Sequence, residues 1–402
     1  MRKNLIHIFS CPPVTVGGTN RATGRAGVTV FLTCLFLSLF FACKPDPVTP
    51  PDPVTPPEPI DPPVDTTTVD TVGHTRSMLV INEGTFTYAN SSLTYYNIDK
   101  DSVANYVFSN ANDGAVIGDT GESLTLLDGK LYIVVNNSNY IYKADINTFK
   151  CDISQPYQIA GFSSPRYMLP VSSTKAYVSN ISGTDLNIIN PQTLTHVGAI
   201  PMGKATECML RVEDELYVTN WSRFWVSGMV NNTVQVVDLI NDTKIADIEV
   251  GFEPNCIVKD KNDIVWVMCE GDVNDLAVPS TLWKIDPSTK VATLVKTFDK
   301  KALSLAIDPT GTYLYFVYGG DWTNGGDVRR INVDSPSEMD SFVISGADKL
   351  FYKIAVDPWD GDIYLTDAKN YTVDGAVYRY SSDGTMITSF DAGICPGNML
   401  FY

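Results

Sequence analysis

Aromatic and amide side chains are concentrated in a few short segments of this sequence. Planar rings with polar tips suit a large, flat, partly polar ligand, and asparagine amides can both donate and accept hydrogen bonds at its edge. We predict a ligand-binding site made of Phe86, Tyr88, Asn136, Asn137, Asn220, Trp221, Arg223, Phe224, Trp225, Trp322, Asn324 and Tyr371. The alternative for any one of these aromatic residues is that it packs over its own loop.

Histidine is too sparse in this sequence to suggest a catalytic or metal site. His74 lies in a linker, and His196 lies late in a repeat. A Ser-His-Asp or Cys-His site and a zinc site all require such side chains close together. We therefore predict no catalytic residue and no metal ligand, and we expect a binding protein rather than an enzyme.

The elements that must position the predicted site form seven copies of one strand pattern. The second residue of each copy is aromatic in six cases, and consecutive copies are separated by 52, 45, 40, 49, 49 and 49 residues. Periods of 40 to 50 residues with several strands each indicate β-propeller blades. The copies are LVINEG (79–84), LYIVVNN (131–137), AYVSN (176–180), LYVTN (216–220), VWVMCE (265–270), LYFVYG (314–319) and IYLTDA (363–368).

A further strand precedes each copy except the first. The C-terminal segment NMLFY (398–402) is the expected substitute, because Gly393 to Pro396 lead into it as Gly251 to Pro254 lead into CIVKD (256–260). Pairing of the last strand with the first blade would remove an open sheet edge. We predict an all-β fold, a seven-bladed β-propeller over residues 77–402, with the first blade closed by the C-terminal strand.

The loops that follow the seven copies should share one face of the propeller, and they contain the predicted ligand-binding residues. Glu122, Glu207 and Glu253 precede inner strands and should lie near the axis. These carboxylates could line a wet central channel, bind calcium as in propeller lactonases, or form a glycosidase pair. The spacing alone does not separate these alternatives.

The N-terminal region indicates export and anchoring. Arg21 and Arg25 precede an apolar run that ends at Ala42-Cys43. A small residue directly before cysteine after such a run is the pattern cleaved and lipidated in bacterial lipoproteins. We predict a signal peptide over residues 1–42 and lipidation of Cys43. Residues 43–76 then form a stalk, and its proline-rich repeat, residues 45–65, should adopt extended polyproline II.

Charge and cysteine content limit the partners further. The formal net charge is −17, which repels phosphate backbones, so we predict no nucleic-acid partner. Beyond Cys43, the mature chain has five cysteines, an odd number that requires at least one free thiol. Cys208 and Cys256 occupy matching positions on inner strands of consecutive blades. We expect both to be buried free thiols.

Several passages carry a family resemblance. The segments Tyr217 to Asn220 and Tyr177 to Asn180 look like the YVTN class of seven-bladed propellers. Residues 77–402 as a whole resemble surface lipoproteins of Bacteroides-type bacteria that bind cobalamin. The passages behind this resemblance are Asn82-Glu83-Gly84 with Tyr88 and Asn90, 133–138, 145–150, 161–167, 377–381 and Gly393-Ile394.

This resemblance implies a function and a location. The ligand would be cobalamin or a related corrinoid, with no cofactor acting as a catalyst. The implied partner is a TonB-dependent outer-membrane transporter, and the protein would otherwise be a monomer. The implied location is the outer membrane, with the lipid-anchored domain facing the cell exterior.

Two other functions remain open from the sequence. A lactonase-like, metal-dependent hydrolase would carry an axial calcium ion. A surface scaffold or adhesin would bind protein or glycan and no small molecule. The propeller fold serves all three functions, so the repeats do not decide between them.

Overall fold

We describe the protein from a computed structural model that covers residues 75–152, 158, 162–221, 231–272, 277–321, 323 and 325–402. All of these residues belong to one compact unit, Asp65–Tyr402. The predicted signal peptide, Cys43 and most of the predicted stalk lie outside the described residues. None of the helices in the described residues has the length and hydropathy needed to cross a membrane.

The described chain is built almost entirely from β-strands. The first thirteen are β1 (Ser77–Asn82), β2 (Ser92–Asn97), β3 (Ser102–Ala104), β4 (Gly121–Leu127), β5 (Lys130–Val135), β6 (Tyr140–Asp145), β7 (Pro165–Ser172), β8 (Lys175–Asn180), β9 (Asp185–Asn190), β10 (Thr195–Pro201), β11 (Met209–Val212), β12 (Glu215–Thr219) and β13 (Thr233–Asp238). The remaining strands are β14 (Thr243–Glu249), β15 (Pro254–Lys259), β16 (Val265–Cys269), β17 (Thr281–Asp286), β18 (Val291–Thr297), β19 (Ala302–Ile307), β20 (Tyr313–Tyr318), β21 (Asp327–Asn332), β22 (Phe351–Val356), β23 (Ile363–Asp367), β24 (Asp374–Tyr380), β25 (Met386–Ile394) and β26 (Pro396–Phe401). One short helix, α1 (Val107–Ala111), follows β3 and was not predicted from the sequence.

These strands form seven antiparallel sheets, which confirms the predicted seven-bladed propeller. From the axis outward, blade 1 is β26-β1-β2-β3 and blade 2 is β4-β5-β6. Blades 3, 4 and 5 are β7 to β10, β11 to β14 and β15 to β18, while blade 6 is β19 to β21 and blade 7 is β22 to β25. The last strand pairs with the first, as predicted, and Ser77 and Tyr402 exchange both backbone hydrogen bonds at 2.8 and 2.9 Å.

The second strand of each blade supplies the core between blades. The residues of these strands are mostly β-branched, aromatic or leucine, and most are fully buried because a blade packs on both faces. The outer strands instead alternate; β14, for example, buries only every second residue in whole or in part. Burial is therefore greatest in the second strand of a blade and lower in the inner and outermost strands, as β15, β16 and β18 show.

The aromatic residue at the second position of the repeat also connects neighbouring blades. Tyr132 of blade 2 donates a hydrogen bond of 2.9 Å from its hydroxyl group to the carbonyl oxygen of Pro191 in blade 3. Tyr177 of blade 3 likewise donates to Asp242 of blade 4. A polar group buried between blades is stabilising only when such a partner is present. The aromatic residue of the repeat therefore fills the core and, through its hydroxyl group, links one blade to the next.

The inner strands share an irregularity near their first residues. In β4, β7, β15, β19, β22 and β26 the pairing with the second strand shifts register there, as at a β-bulge. A bulge re-aims the side chain of the extra residue. The inner strands begin at one end of the central channel. Each of these bulges therefore directs one or two side chains toward that end.

The repeated tyrosines provide a matched stability test. Tyr132→Phe removes a buried hydrogen bond, and we expect it to lower the free energy of unfolding by about 1 kcal/mol. Tyr364 occupies the same repeat position in blade 7, but its buried hydroxyl group has no hydrogen-bond partner among the described residues. We expect Tyr364→Phe to be neutral or stabilising. Urea denaturation of both variants checks this pair, and equal losses of stability would contradict it.

Candidate functional site

Side chains at the bulges of β4, β7, β15 and β22 and at the ends of nearby strands come together at one end of the channel. We call this set the axial cluster. Its members come from blades 1, 2, 3, 4, 5 and 7, although they are far apart in sequence. The axial cluster consists of Glu83, Glu122, Arg166, Glu207, Trp221, Asn255, Glu270, Tyr352 and Lys353.

Arg166 is the centre of the axial cluster. Its Nε and Nη2 atoms donate to the two carboxylate oxygens of Glu207, both at 2.8 Å, and its Nη1 atom donates to Glu122. The side chains of both glutamates are only 3% exposed. A planar guanidinium group suits this arrangement because its donors can engage two carboxylates in one plane. One arginine therefore ties together the inner strands of blades 2, 3 and 4.

Trp221 extends this network toward the loops. The guanidinium carbon of Arg166 lies 5.4 Å from the centre of the Trp221 ring, within the range of a cation–π contact. The indole Nε1 of Trp221 donates to Glu270 at 3.2 Å, and Asn255 also donates to Glu270. Trp221 is only 7% exposed. Its position is consistent with anchoring the start of its loop rather than with offering an open ring face.

A second branch of the axial cluster joins blades 7 and 1. The Tyr352 hydroxyl group donates to a carboxylate oxygen of Glu83 at 2.7 Å, and the Tyr352 ring packs edge-on against Tyr371 with centroids 5.9 Å apart. The ammonium group of Lys353 lies 5.1 Å from the Tyr352 ring centre. Tyr371, one of the predicted site residues, therefore rests directly on the axial cluster.

Burial changes the acid–base properties of these groups. Removal from water, opposed by Arg166 and reinforced by Glu83 and Glu207, raises the pKa of Glu122 to about 7. Burial by itself would lower the pKa of Lys353, but the carboxylates of Glu122 and Glu83 outweigh it and the pKa is raised. Lys353 therefore remains charged at neutral pH, while Glu122 carries a proton in part of the molecules.

Above the axial cluster lies the loop face, which we define by the connections between the second and third strands of each blade. Their described residues are 83–91, 136–139, 181–184, 220–221, 231–232, 270–272, 277–280, 319–321, 323, 325–326 and 368–373. Antiparallel pairing places them all at the same end of the propeller. The links between blades also reach this end, since the Thr87 amide donates to Asp119 and the Ser164 amide donates to Asn139.

The loop face brings several predicted residues together. Tyr88 is 72% exposed, and Phe86 is partly exposed in the same loop. Asn137 is exposed and donates to Asp119, which also accepts from the backbone of Thr87. The Thr85 hydroxyl group donates to the carbonyl oxygen of Tyr371 at 3.3 Å. Loops of blades 7, 1 and 2 thus form one continuous surface.

Two predicted amides have structural partners. Asn220 is fully buried, and its amide group donates to Ala205 and Gln235 while its oxygen accepts from Thr233. Its side chain therefore holds the blade 4 loop from within instead of facing a ligand. The Asn136 amide donates to the carbonyl oxygen of Pro165 at 3.0 Å, which links blades 2 and 3. The other predicted site residues, Arg223, Phe224, Trp225, Trp322 and Asn324, lie outside the described residues.

The three axial glutamates considered from the sequence have different environments. Arg166 binds oxygens of Glu122 and Glu207, while Glu253 is half-buried just before β15. Glu253 has a left-handed backbone with φ of 56°, as does Cys395 at the matching position of blade 1. Across the described residues, no group of three or more His, Cys, Asp or Glu side chains is arranged to hold a metal ion.

Four cysteines in the described part of the chain, Cys151, Cys208, Cys256 and Cys269, are free thiols. Cys151, Cys208 and Cys256 are half-buried, and Cys269 and Cys395 are buried. The expectation of free thiols at Cys208 and Cys256 is therefore confirmed, but both are half-buried rather than buried. Burial still raises the pKa of Cys256 to about 11, which keeps this thiol protonated and unreactive at neutral pH.

Fold and site together define a seven-bladed β-propeller with a charged cluster at the channel mouth beneath a polar and aromatic loop face. The chain belongs to the family described as a domain of unknown function (DUF5074), whose profile matches residues 76–393. No curated protein sequence matches the chain.

Solved structures confirm the fold. A quinonprotein alcohol dehydrogenase-like protein from Bacteroides thetaiotaomicron aligns with a TM-score of 0.59 and 13% identity, over 80% of this chain and 77% of that chain. A protein from Bacteroides fragilis, described as a candidate 6-phosphogluconolactonase, has a TM-score of 0.58 and 10% identity over 83% and 99% of the two chains. A hypothetical selenium-binding protein from Sulfolobus tokodaii gives 0.61 and 11% over 82% and 93%. At such identities the likeness concerns the fold alone.

Arg166 provides a test of the axial cluster. Arg166→Met leaves the buried carboxylates of Glu122 and Glu207 without their cation, and we expect a loss of about 3–5 kcal/mol in the free energy of unfolding. Arg211→Met is the control, because Arg211 and Asp214 are exposed and 3.9 Å apart, and we expect a loss below about 1 kcal/mol. Chemical denaturation measures both; similar losses would show that Arg166 does not hold the cluster.

Glu122 provides a test of pH dependence. Because its pKa is raised from 4.5 to about 7 on folding, the native state holds this proton more tightly than the unfolded state. The resulting stabilisation is present below about pH 4.5 and disappears as the pH rises through about 7. Relative to Glu122→Gln, the wild type should therefore lose about 1–3 kcal/mol over this range. Denaturation at a series of pH values measures the difference, and a constant difference would contradict the shift.

Proposed function

We propose that this protein is a surface lipoprotein that captures a corrinoid on the loop face without converting it, and delivers it to a TonB-dependent outer-membrane transporter. The observation that supports this most directly is the composition of the loop face. Tyr88 is an exposed aromatic residue of the loop face, and Asp119 beside its loop accepts from both the Asn137 amide and the backbone amide of Thr87. A flat apolar macrocycle surrounded by amide arms is complementary to such a surface.

The charges beneath the loop face favour a neutral ligand. All three donor nitrogens of Arg166 that are described above point at Glu122 or Glu207, so this cation is directed into the protein. An anionic ligand would have to compete with two buried carboxylates for Arg166, at a large desolvation cost. A ligand whose periphery consists of uncharged amides avoids this competition.

The direction of β1 suits capture away from the membrane. Ser77 begins β1 at the end of blade 1 opposite the loop face, since β1 runs from Ser77 to Asn82 and then enters loop 83–91. The predicted stalk and lipid anchor precede this point in the chain. A stalk that enters from this side leaves the loop face accessible to solvent and to a transporter.

Calorimetric titration of residues 77–402 with cyanocobalamin tests the proposal. We expect one-to-one binding. Tyr88→Ala and Asn137→Ala should each weaken it about 5- to 50-fold, because each removes an exposed contact worth about 1–2 kcal/mol. Trp359→Ala is the matched control, since Trp359 is a half-exposed aromatic residue in the β22–β23 connection at the opposite end of the propeller.

The outcomes of this titration separate the alternatives. Binding that Trp359→Ala leaves unchanged and the two loop-face variants weaken supports capture on the loop face. Binding that all three variants leave unchanged would place the ligand elsewhere on the protein. If neither cyanocobalamin nor cobinamide gives a measurable heat of binding, corrinoid capture is refuted.

A further inference from the structure

The axial cluster contains more carboxyl groups than cations around Glu122. The charged groups that face Glu122 are Arg166 from β7, Lys353 from β22, Glu83 after β1 and Glu207 before β11. With Glu122 ionised, these five groups carry three negative and two positive charges, which leaves one excess negative charge. One proton on a Glu122 oxygen makes the set neutral. A set of groups held away from water is most stable when it is neutral.

Solvent at the channel mouth moderates this imbalance in the free protein. Lys353 and Tyr352 on β22 are only half-buried, and so is Cys256 on β15, the inner strand of blade 5. Water in contact with these side chains screens the repulsion between Glu122, Glu83 and Glu207. Anything that removes this water strengthens the repulsion and penalises the excess charge.

Residues of the loop face contact the axial cluster directly. Trp221 lies against Arg166 with 5.4 Å between ring centre and guanidinium carbon, and its loop belongs to the loop face. Tyr371 packs on Tyr352, whose hydroxyl group donates to Glu83. A large ligand that rests on these loops therefore covers the channel mouth and displaces water from it.

We propose that ligand capture at the loop face takes up a proton at Glu122, so that the affinity for the ligand falls as the pH rises. This inference rests on the proposed corrinoid function and adds a regulatory property to it. The proton comes from solvent and forms an O–H bond on a carboxylate oxygen of Glu122, which becomes a neutral carboxyl group. The raised pKa of Glu122 in the free protein means that a modest further dehydration suffices near neutral pH. By linkage, proton uptake on binding and weaker binding at high pH are one effect.

The test is calorimetric titration with cyanocobalamin in buffers of different ionisation enthalpy, which yields the number of protons taken up. Near pH 7 we expect the wild type to take up a fraction of a proton. Its Kd should rise by up to about tenfold per pH unit above about pH 7. Glu122→Gln should take up none and show a nearly flat pH profile. Glu249→Gln, which alters an exposed carboxylate at the end of β14, should behave like the wild type.

Each result has a definite meaning. Equal proton uptake in the wild type and Glu122→Gln would overturn the assignment to Glu122, because any other titrating group persists in that variant. A wild-type Kd that does not change between about pH 6 and 8.5 would overturn the linkage without requiring any variant to fold. Binding without proton uptake refutes this inference alone, whereas absence of binding in every protein refutes the proposed function together with it.

Discussion

The pairing of β26 with β1 is the constraint on which the remaining structure depends. Without this pairing the ring of blades would open. The first and last blades would then each expose an apolar packing face, and blade 1 would have an unpaired strand edge. Backbone hydrogen bonds between Ser77 and Tyr402, and between Glu83 and Cys395, hold the first and last strands together. Once the ring is closed, the inner strands surround one axis and must face one another across it.

This closure explains why so many charges accumulate at the channel mouth. Six blades contribute side chains to a small volume, from inner strands and from the ends of second strands, so unpaired charges there would be costly. Arg166 offsets Glu122 and Glu207 at once, and Tyr352 provides a donor for Glu83. The same cluster supports Trp221 and Tyr371 from below. One network of contacts therefore both pairs the buried charges and supports the residues under the loop face.

Much of the fold could be predicted from the sequence. The repeated aromatic residue, seen at Tyr177 and Tyr217, indicates the blades because each copy needs the same buried position. The match between Gly251 to Pro254 and Gly393 to Pro396 indicates ring closure, and Glu253 and Cys395 do share a left-handed backbone. The candidate site was harder to predict. Glu122 and Glu207 could be placed near the axis, but Arg166 and Lys353 were missed; their charge within otherwise apolar inner strands was the signal for them.

The sequence by itself determined the number of blades, the strand that closes them and the loops that share a face, because these follow from periodicity along the chain. Only the tertiary structure decided which side chains meet. Asn220 and Trp221 are adjacent in sequence and equally suited to a ligand, yet one is bonded within its blade and the other lies between Arg166 and Glu270. The physical reason is that burial and charge pairing depend on neighbouring blades, whose residues are 40 or more positions away along the chain.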